Sequence, residues 1–186
     1  HAGRTIAERL GVPLSRIRPI HLGIDHDLFR PGSEQREDFL LYPAREWPHK
    51  NHALLFDAFA ELRRRRPGLE LVLTAFAGPV PEGVRSLGRV SREELARLYR
   101  TASALVFPSL FEGFGQPPLE AMACGCPVAC SNAAALPEVV GDAARLFDPS
   151  SREELLEAVK DVLDDPEPWR GRGLARAAEF TWERTA

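Results

Sequence analysis

The stretch "ALVFPSLFEGFGQPPLEAMACGCPVAC", Ala104 to Cys130, decides the fold. It opens as an apolar run that breaks at Pro108. A loop carrying Glu112, Gly113 and Gly115 follows, then a helix entered through Pro117 and Pro118 and stopped at Gly125. "PVAC" returns as a second apolar run. Two strands that are apolar throughout, with a helix between them, imply parallel pairing and burial on both faces.

The same alternation extends in both directions. "FLLYPA" reads as a strand, and Asn51 is placed to cap a helix to about Arg66 with Leu55, Phe59 and Leu62 on one face. "LELVLTA" is a strand closed by the Gly78–Pro79 turn, followed by a short apolar piece at Val84 to Leu87. Ser91 with Glu94, and Ser151 with Glu154, have capping-box spacing. They open helices carrying Leu95, Leu98 and Ala102 in the first case and Leu155, Val159 and Val162 in the second. A last helix is predicted from about Trp169 to Phe180. The whole predicts an α/β, Rossmann-like domain with a doubly wound parallel sheet, and ligands bound outside the C-terminal ends of the strands. The loops that matter are therefore 43–51, 75–83, 108–117 and 131–137.

At 186 residues the chain supports one sizeable domain. Its 44% hydrophobic and 27% charged residues are those of a globular protein, and a net charge of −3 argues against nucleic acid as partner. No apolar run nears the roughly 20 residues of a membrane span, and no signal peptide opens the chain. Cys124, Cys126 and Cys130 lack a fourth metal ligand and read as small core residues, and their odd number points to a reducing, cytoplasmic setting. His1 stands where Met would begin a complete protein, so the chain reads as a piece of something longer. Residues 3–11 form a short helix, "IRPIHLGIDHDLFRPG" has the aspect of a strand leading into an irregular connection, and "FTWERTA" reads as the start of a helix.

Two loops carry chemistry. In "PAREWPHKN", Arg45 and Lys50 precede a helix, where cations oppose the dipole unless an anion is bound between them. Each charge-assisted contact to a phosphate would contribute roughly 1.5–3 kcal/mol. In "FEGFGQPPLE", Gly113 and Gly115 permit close approach of backbone to a ligand. Glu120, read into the first helical turn, would complement the dipole with no ligand at all, whereas Glu112 serves no helix. A diphosphate joined to a hydroxyl-rich group suits both loops. Asp25-His26-Asp27 and the pair His49 and His52 are thin metal candidates, and no dinucleotide or P-loop fingerprint is present.

Taken together, "GID" at Gly23 to Asp25, Arg45-x4-Lys50-Asn51, "LGRVS" at Leu87 to Ser91, Glu112-x7-Glu120 and "ALPEVVGDAARLFDP" resemble the C-terminal, donor-binding half of a family 4 retaining GT-B glycosyltransferase. The resemblance covers nearly the whole chain. It implies that Arg45 and Lys50 hold the donor diphosphate and that Glu112 meets hydroxyls of the donor sugar. Gly113, the Phe114 and Gly115 N–H groups and Gln116 would lie near sugar and phosphates. Glu120 would receive the ribose, and the base would rest by Arg89 and Val90. No metal or other cofactor is implied, the nucleotide-diphosphate sugar being the substrate.

The family pattern also divides the chain. Residues 1–30 would be a remnant of the N-terminal domain and hinge, 31–180 the nucleotide-sugar-binding domain, and 181–186 the start of a truncated helix. A glycan or lipid-linked acceptor would come through the N-terminal domain, with peripheral contact at the inner face of the membrane. "WPHKNH" resembles bacterial members that transfer mannose or related sugars in polysaccharide biosynthesis. Ala44 replaces a common glycine, Gln116 a common aliphatic residue, and the loop Ala75–Pro81 is short. A non-catalytic nucleotide-sugar-binding module, and a nucleotide-sugar hydrolase or epimerase, remain the rival readings.

Overall fold

The computed structural model describes residues 2–186. After the first helix, α1 (Ala2–Leu10), the chain alternates strands and helices. The first strand is β1 (Glu37–Pro43), followed by α2 (His52–Arg65), β2 (Glu70–Thr74), β3 (Val84–Ser86), α3 (Arg92–Thr101) and β4 (Ala102–Phe107). It continues as α4 (Gln116–Ala123), β5 (Val128–Ser131), α5 (Leu136–Val140), β6 (Arg145–Phe147), α6 (Arg152–Asp164), α7 (Pro166–Ala177) and α8 (Trp182–Thr185). The six strands form one sheet in the order β3-β2-β1-β4-β5-β6, every neighbouring pair parallel.

Central strands are apolar because both their faces are covered. Leu40, Leu41 and Tyr42 of β1, and Ala104 to Phe107 of β4, are fully buried. Helices α2 and α6 pack on each other, while α4 packs on α3 and α7. Leu55, Phe59, Val159 and Val162 come from the first group, and Leu98, Tyr99, Leu119 and Met122 from the second. Arg36 ties the α3–β4 junction to the end of α4, donating to Tyr99 O at 3.3 Å, Ala102 O at 2.5 Å and Gly125 O. The strand order reverses between β1 and β4, and in open α/β sheets ligands are held outside the strand ends at such a switch point.

Both capping Ser residues are as expected, Ser91 Oγ accepting from Glu94 N at 3.1 Å and Ser151 Oγ from Glu154 N at 3.2 Å. The Glu94 carboxylate turns to Arg97 instead of completing its box. All three cysteines are free and buried, and burial pushes the Cys126 thiol up to about 11.

Several expectations are corrected. Asn51 does not cap α2 with its side chain; it sits in the left-handed region, and its amide donates to Pro108 O and Pro149 O at 3.2 and 2.9 Å. Ala102 begins β4 rather than ending α3. The stretch around 17–25 forms no strand: both edges of the sheet lie elsewhere, and Ile24 N bonds to Phe180 O of the tail instead. The last long helix starts at Pro166, because Pro is well suited to the first helical position. Glu120 is the fifth residue of α4, beyond the first turn, so the dipole does not account for it. Helix α5 and strand β6 are too short for their periodicity to stand out.

Candidate functional site

The site grows from the buried ends of β1 and β4. Tyr42, fully buried near the end of β1, donates its hydroxyl to Lys50 O at 2.7 Å and meets Ser109 Oγ at 3.2 Å. Burial pushes its phenol well above the usual range, so it remains a donor. Ser131, at the end of β5, donates to Ser109 O at 2.6 Å, and Leu110 N donates to His49 O at 2.8 Å. With Asn51 on Pro108, these bonds fix the loops after β1 and β4 against each other.

Upon that frame Lys50 Nζ meets Glu112 Oε1 at 2.5 Å, and both side chains are nearly nine-tenths buried. Lys50 Nζ also lies 5.4 Å from the Phe107 ring centroid. Desolvation offsets much of the attraction in such a pair, so it is a poor source of stability. It is a good way to keep two opposite charges dry and ready at the switch point. Arg45, earlier in the same loop as Lys50, is exposed, its guanidinium 5.5 Å from the Trp47 ring, with no ion pair among the described residues.

The Gly-rich loop supplies donors. The N–H groups of Phe114 and Gly115 bond to no acceptor among the described residues. They precede α4, whose N-terminus adds partial positive charge. Gly113 is exposed with open space about its Cβ direction. Gly115 has φ of 105° and a Cβ there would meet Leu136 Cδ2 at 2.7 Å, so packing on α5 already demands a glycine. Phe114 is half-buried with its ring 6.0 Å from both His21 and Phe180. Gln116 opens α4 half-buried. A cleft of ≈ 570 Å³ is lined by Gly113, Phe114, Glu138 and Val139 on one side and by residues 17–21 on the other.

Glu120 is 9% exposed, and Tyr99 Oη donates to its Oε2 at 3.2 Å. Burial pushes its carboxyl up to about 7, while the Tyr99 bond and the Arg92 charge pull the other way. Arg89 is exposed and Val90 half-buried against the core. They follow Gly88, whose carbonyl receives Ala75 N at 2.5 Å and so links the loops after β2 and β3. Nine of the ten sequence-predicted residues thus lie in the loops that follow strands or at their ends, with Lys50 and Glu112 in direct contact, while Glu120 lies more than one turn inside α4.

The metal candidates disperse. Asp25 accepts from Leu28 N and Arg92, His26 bonds to Phe180 O, and His52 is buried among Tyr42, Phe56 and Phe76. Among the described residues no three His, Cys, Asp or Glu side chains gather to hold an ion. Sequence reasoning missed Tyr42, Ser109, Ser131 and Tyr99. The one available signal was a hydroxyl inside or directly after an otherwise apolar run.

Fold and site define an α/β domain with charged side chains and free N–H groups gathered at the switch point of a parallel sheet, and comparison with known proteins gives its family. Residues 24–172 match the model of "Glycosyl transferases group 1", and the chain belongs to that family. It is 39% identical over 168 residues to O-antigen chain mannosyltransferase B of Escherichia coli, covering 79% of this chain and 43% of that protein. Among solved structures, sucrose-phosphate synthase from Thermosynechococcus elongatus superposes with a TM-score of 0.85 at 26% identity, over 99% of this chain and 54% of that one. Anabaena HepE, solved with UDP-glucose, shares the fold with a TM-score of 0.82 at 20% identity, over 98% of this chain and 58% of that one. The fold is that of the GT-B glycosyltransferases. The chain spans less than half the length of the Escherichia coli relative it matches. Among the described residues no helix is long and apolar enough to cross a membrane.

Proposed function

We propose that this chain is the donor-binding half of a retaining hexosyltransferase that moves a sugar, mannose in the first instance, from a nucleotide diphosphate to a glycan or lipid-linked hydroxyl. The observation that carries this reading is the Lys50–Glu112 pair at the switch point, 2.5 Å long, with Glu112 in the same loop as the N–H groups of Phe114 and Gly115, which have no acceptor among the described residues. The sugar preference is supported by the likeness to a mannosyltransferase, and the donor class by a fold relative that was solved with UDP-glucose.

On this reading the diphosphate takes Lys50 from Glu112 and is also met by Arg45 and the two N–H groups. These two cations, rather than a metal ion, face the leaving group. Breaking the bond from the anomeric carbon places the electron pair on a diphosphate oxygen, and fixed positive charge there lowers the barrier. The acceptor oxygen forms the new bond and its proton leaves with the departing diphosphate. Glu112, released by Lys50, accepts hydrogen bonds from the donor sugar. Glu120 accepts from the ribose, and the base rests by Arg89 and Val90. Residues 1–30 would belong to the acceptor-side domain and the hinge, and the chain alone would bind donor without turning it over.

Calorimetric titration with UDP-glucose and GDP-mannose, without added metal, tests this. Saturable binding of one donor, weakened in Lys50→Ala, is the expected result. Binding that is unaffected by Lys50→Ala would refute the site, and acceptor-dependent transfer by the chain alone would refute the division of labour.

A further inference from the structure

Tyr99 is fully buried on α3, yet its hydroxyl is spent on a carboxylate of the neighbouring helix α4 rather than on backbone. Its ring is fixed edge-on to Phe29 at 6.0 Å between centroids, and its carbonyl receives Arg36. Glu120 Oε2 is thereby held from one direction, while Oε1 has no hydrogen-bond partner among the described residues and is not fully enclosed. An acceptor that is open on one side and fixed by a donor on the other is free to receive a hydroxyl from a ligand.

We propose that Tyr99 is a positioning residue for the donor's ribose: its hydroxyl fixes Oε2 of Glu120 and leaves Oε1 to accept from the ligand. This rests on the reading of Glu120 as the ribose acceptor. Hydroxyl donors bind the ionised carboxylate more strongly than the acid, and the Tyr99 bond favours the ionised form against the burial that opposes it. Affinity should therefore depend on pH around neutrality, and Tyr99 should set where. The other charged or titratable groups that face this carboxylate are Arg92 on α3, itself paired with Asp25 at 3.1 Å, and Cys124 just past α4.

The test uses UDP-glucose and GDP-mannose, whose phosphates are all esterified and so lack the terminal phosphate that titrates near pH 6. Calorimetry from pH 5.5 to 8.5 compares the wild type with Tyr99→Phe and Glu120→Gln. Expected are tighter wild-type binding as pH rises, a loss of about tenfold in Tyr99→Phe at pH 7.5, and a midpoint moved to higher pH in that variant. Glu120→Gln should bind weakly with a flat profile. If Glu120→Gln is weakened but Tyr99→Phe keeps wild-type affinity and profile, the positioning role is wrong and the ribose reading stands. If Glu120→Gln binds as the wild type does, the ribose reading itself is wrong.

A wild-type measurement covers the case in which Tyr99→Phe does not fold. Carbon-13 NMR of the Glu120 carboxyl should show titration near neutrality that moves down when donor is bound. Titration at the ordinary carboxylate pH, unmoved by donor, overturns the proposal.

Discussion

Glu112 and Glu120 lie eight residues apart and have been given opposite surroundings. Glu112 sits in the loop after β4 and meets a lysine at 2.5 Å. Glu120 sits inside α4 and meets a phenol, with burial pushing its carboxyl to about 7. The first is a charge already balanced, which an incoming anion can release by taking its partner. The second is a charge held back, which an incoming hydroxyl donor would favour. On the proposed function, this contrast matches the two carboxylates to two chemically different parts of one ligand.

The comparison can be broken by variants, beginning with the frame both carboxylates share. Gly115→Ala puts a Cβ at 2.7 Å from Leu136 with φ of 105°, and should cost about 3 kcal/mol in thermal or urea unfolding. A variant as stable as the wild type would mean that the loop is not held as described. Lys50→Ala removes the cation, and donor affinity should fall about 30-fold by calorimetry. Glu112→Gln should separate the two ends of the ligand. It frees Lys50 and leaves binding of plain UDP or GDP within a few-fold of wild type, while nucleotide-sugar binding weakens by about tenfold. Equal losses for both ligands would place Glu112 on the phosphates instead.

Smaller effects sharpen the contrast. Tyr42→Phe leaves Lys50 O without its 2.7 Å donor and should lower stability by about 1 kcal/mol. Glu120 adds a pH term of known sign. Its folded pKa is raised from 4.5 to about 7, so the native state binds more protons than the unfolded chain between those values. Stability from this group falls as pH rises through that window and levels off above it. Glu120→Gln should therefore gain on the wild type in melting temperature between pH 5 and pH 8, and a constant difference would contradict the burial argument.

The sequence made the fold legible because its signals were redundant. Apolar runs such as Leu40–Tyr42 and Leu105–Phe107, two serine caps and the Gly125 stop all indicated alternating parallel strands and helices. The site loops followed, since a switch point exposes the turns after its central strands. Ile17 to Asp25 was misread because an apolar segment carries strand character whether or not a sheet edge is available to it. Asn51 was misread because a cap and a loop clamp need the same amide at the same place. Tyr99 and Tyr42 were invisible as site residues, since a tyrosine on an apolar face reads as core until its hydroxyl has a partner. Pairing across 62 residues, as between Lys50 and Glu112, is a tertiary fact that spacing could only hint at.

The most direct test of donor binding at the switch point is to follow the backbone amides of Phe114 and Gly115 by nitrogen-15 NMR while GDP-mannose and UDP-glucose are titrated in. The account predicts that one donor shifts both amides saturably, and that Lys50→Ala weakens that response. Amides that stay in place while a donor binds, or a folded chain that binds neither donor, would contradict it.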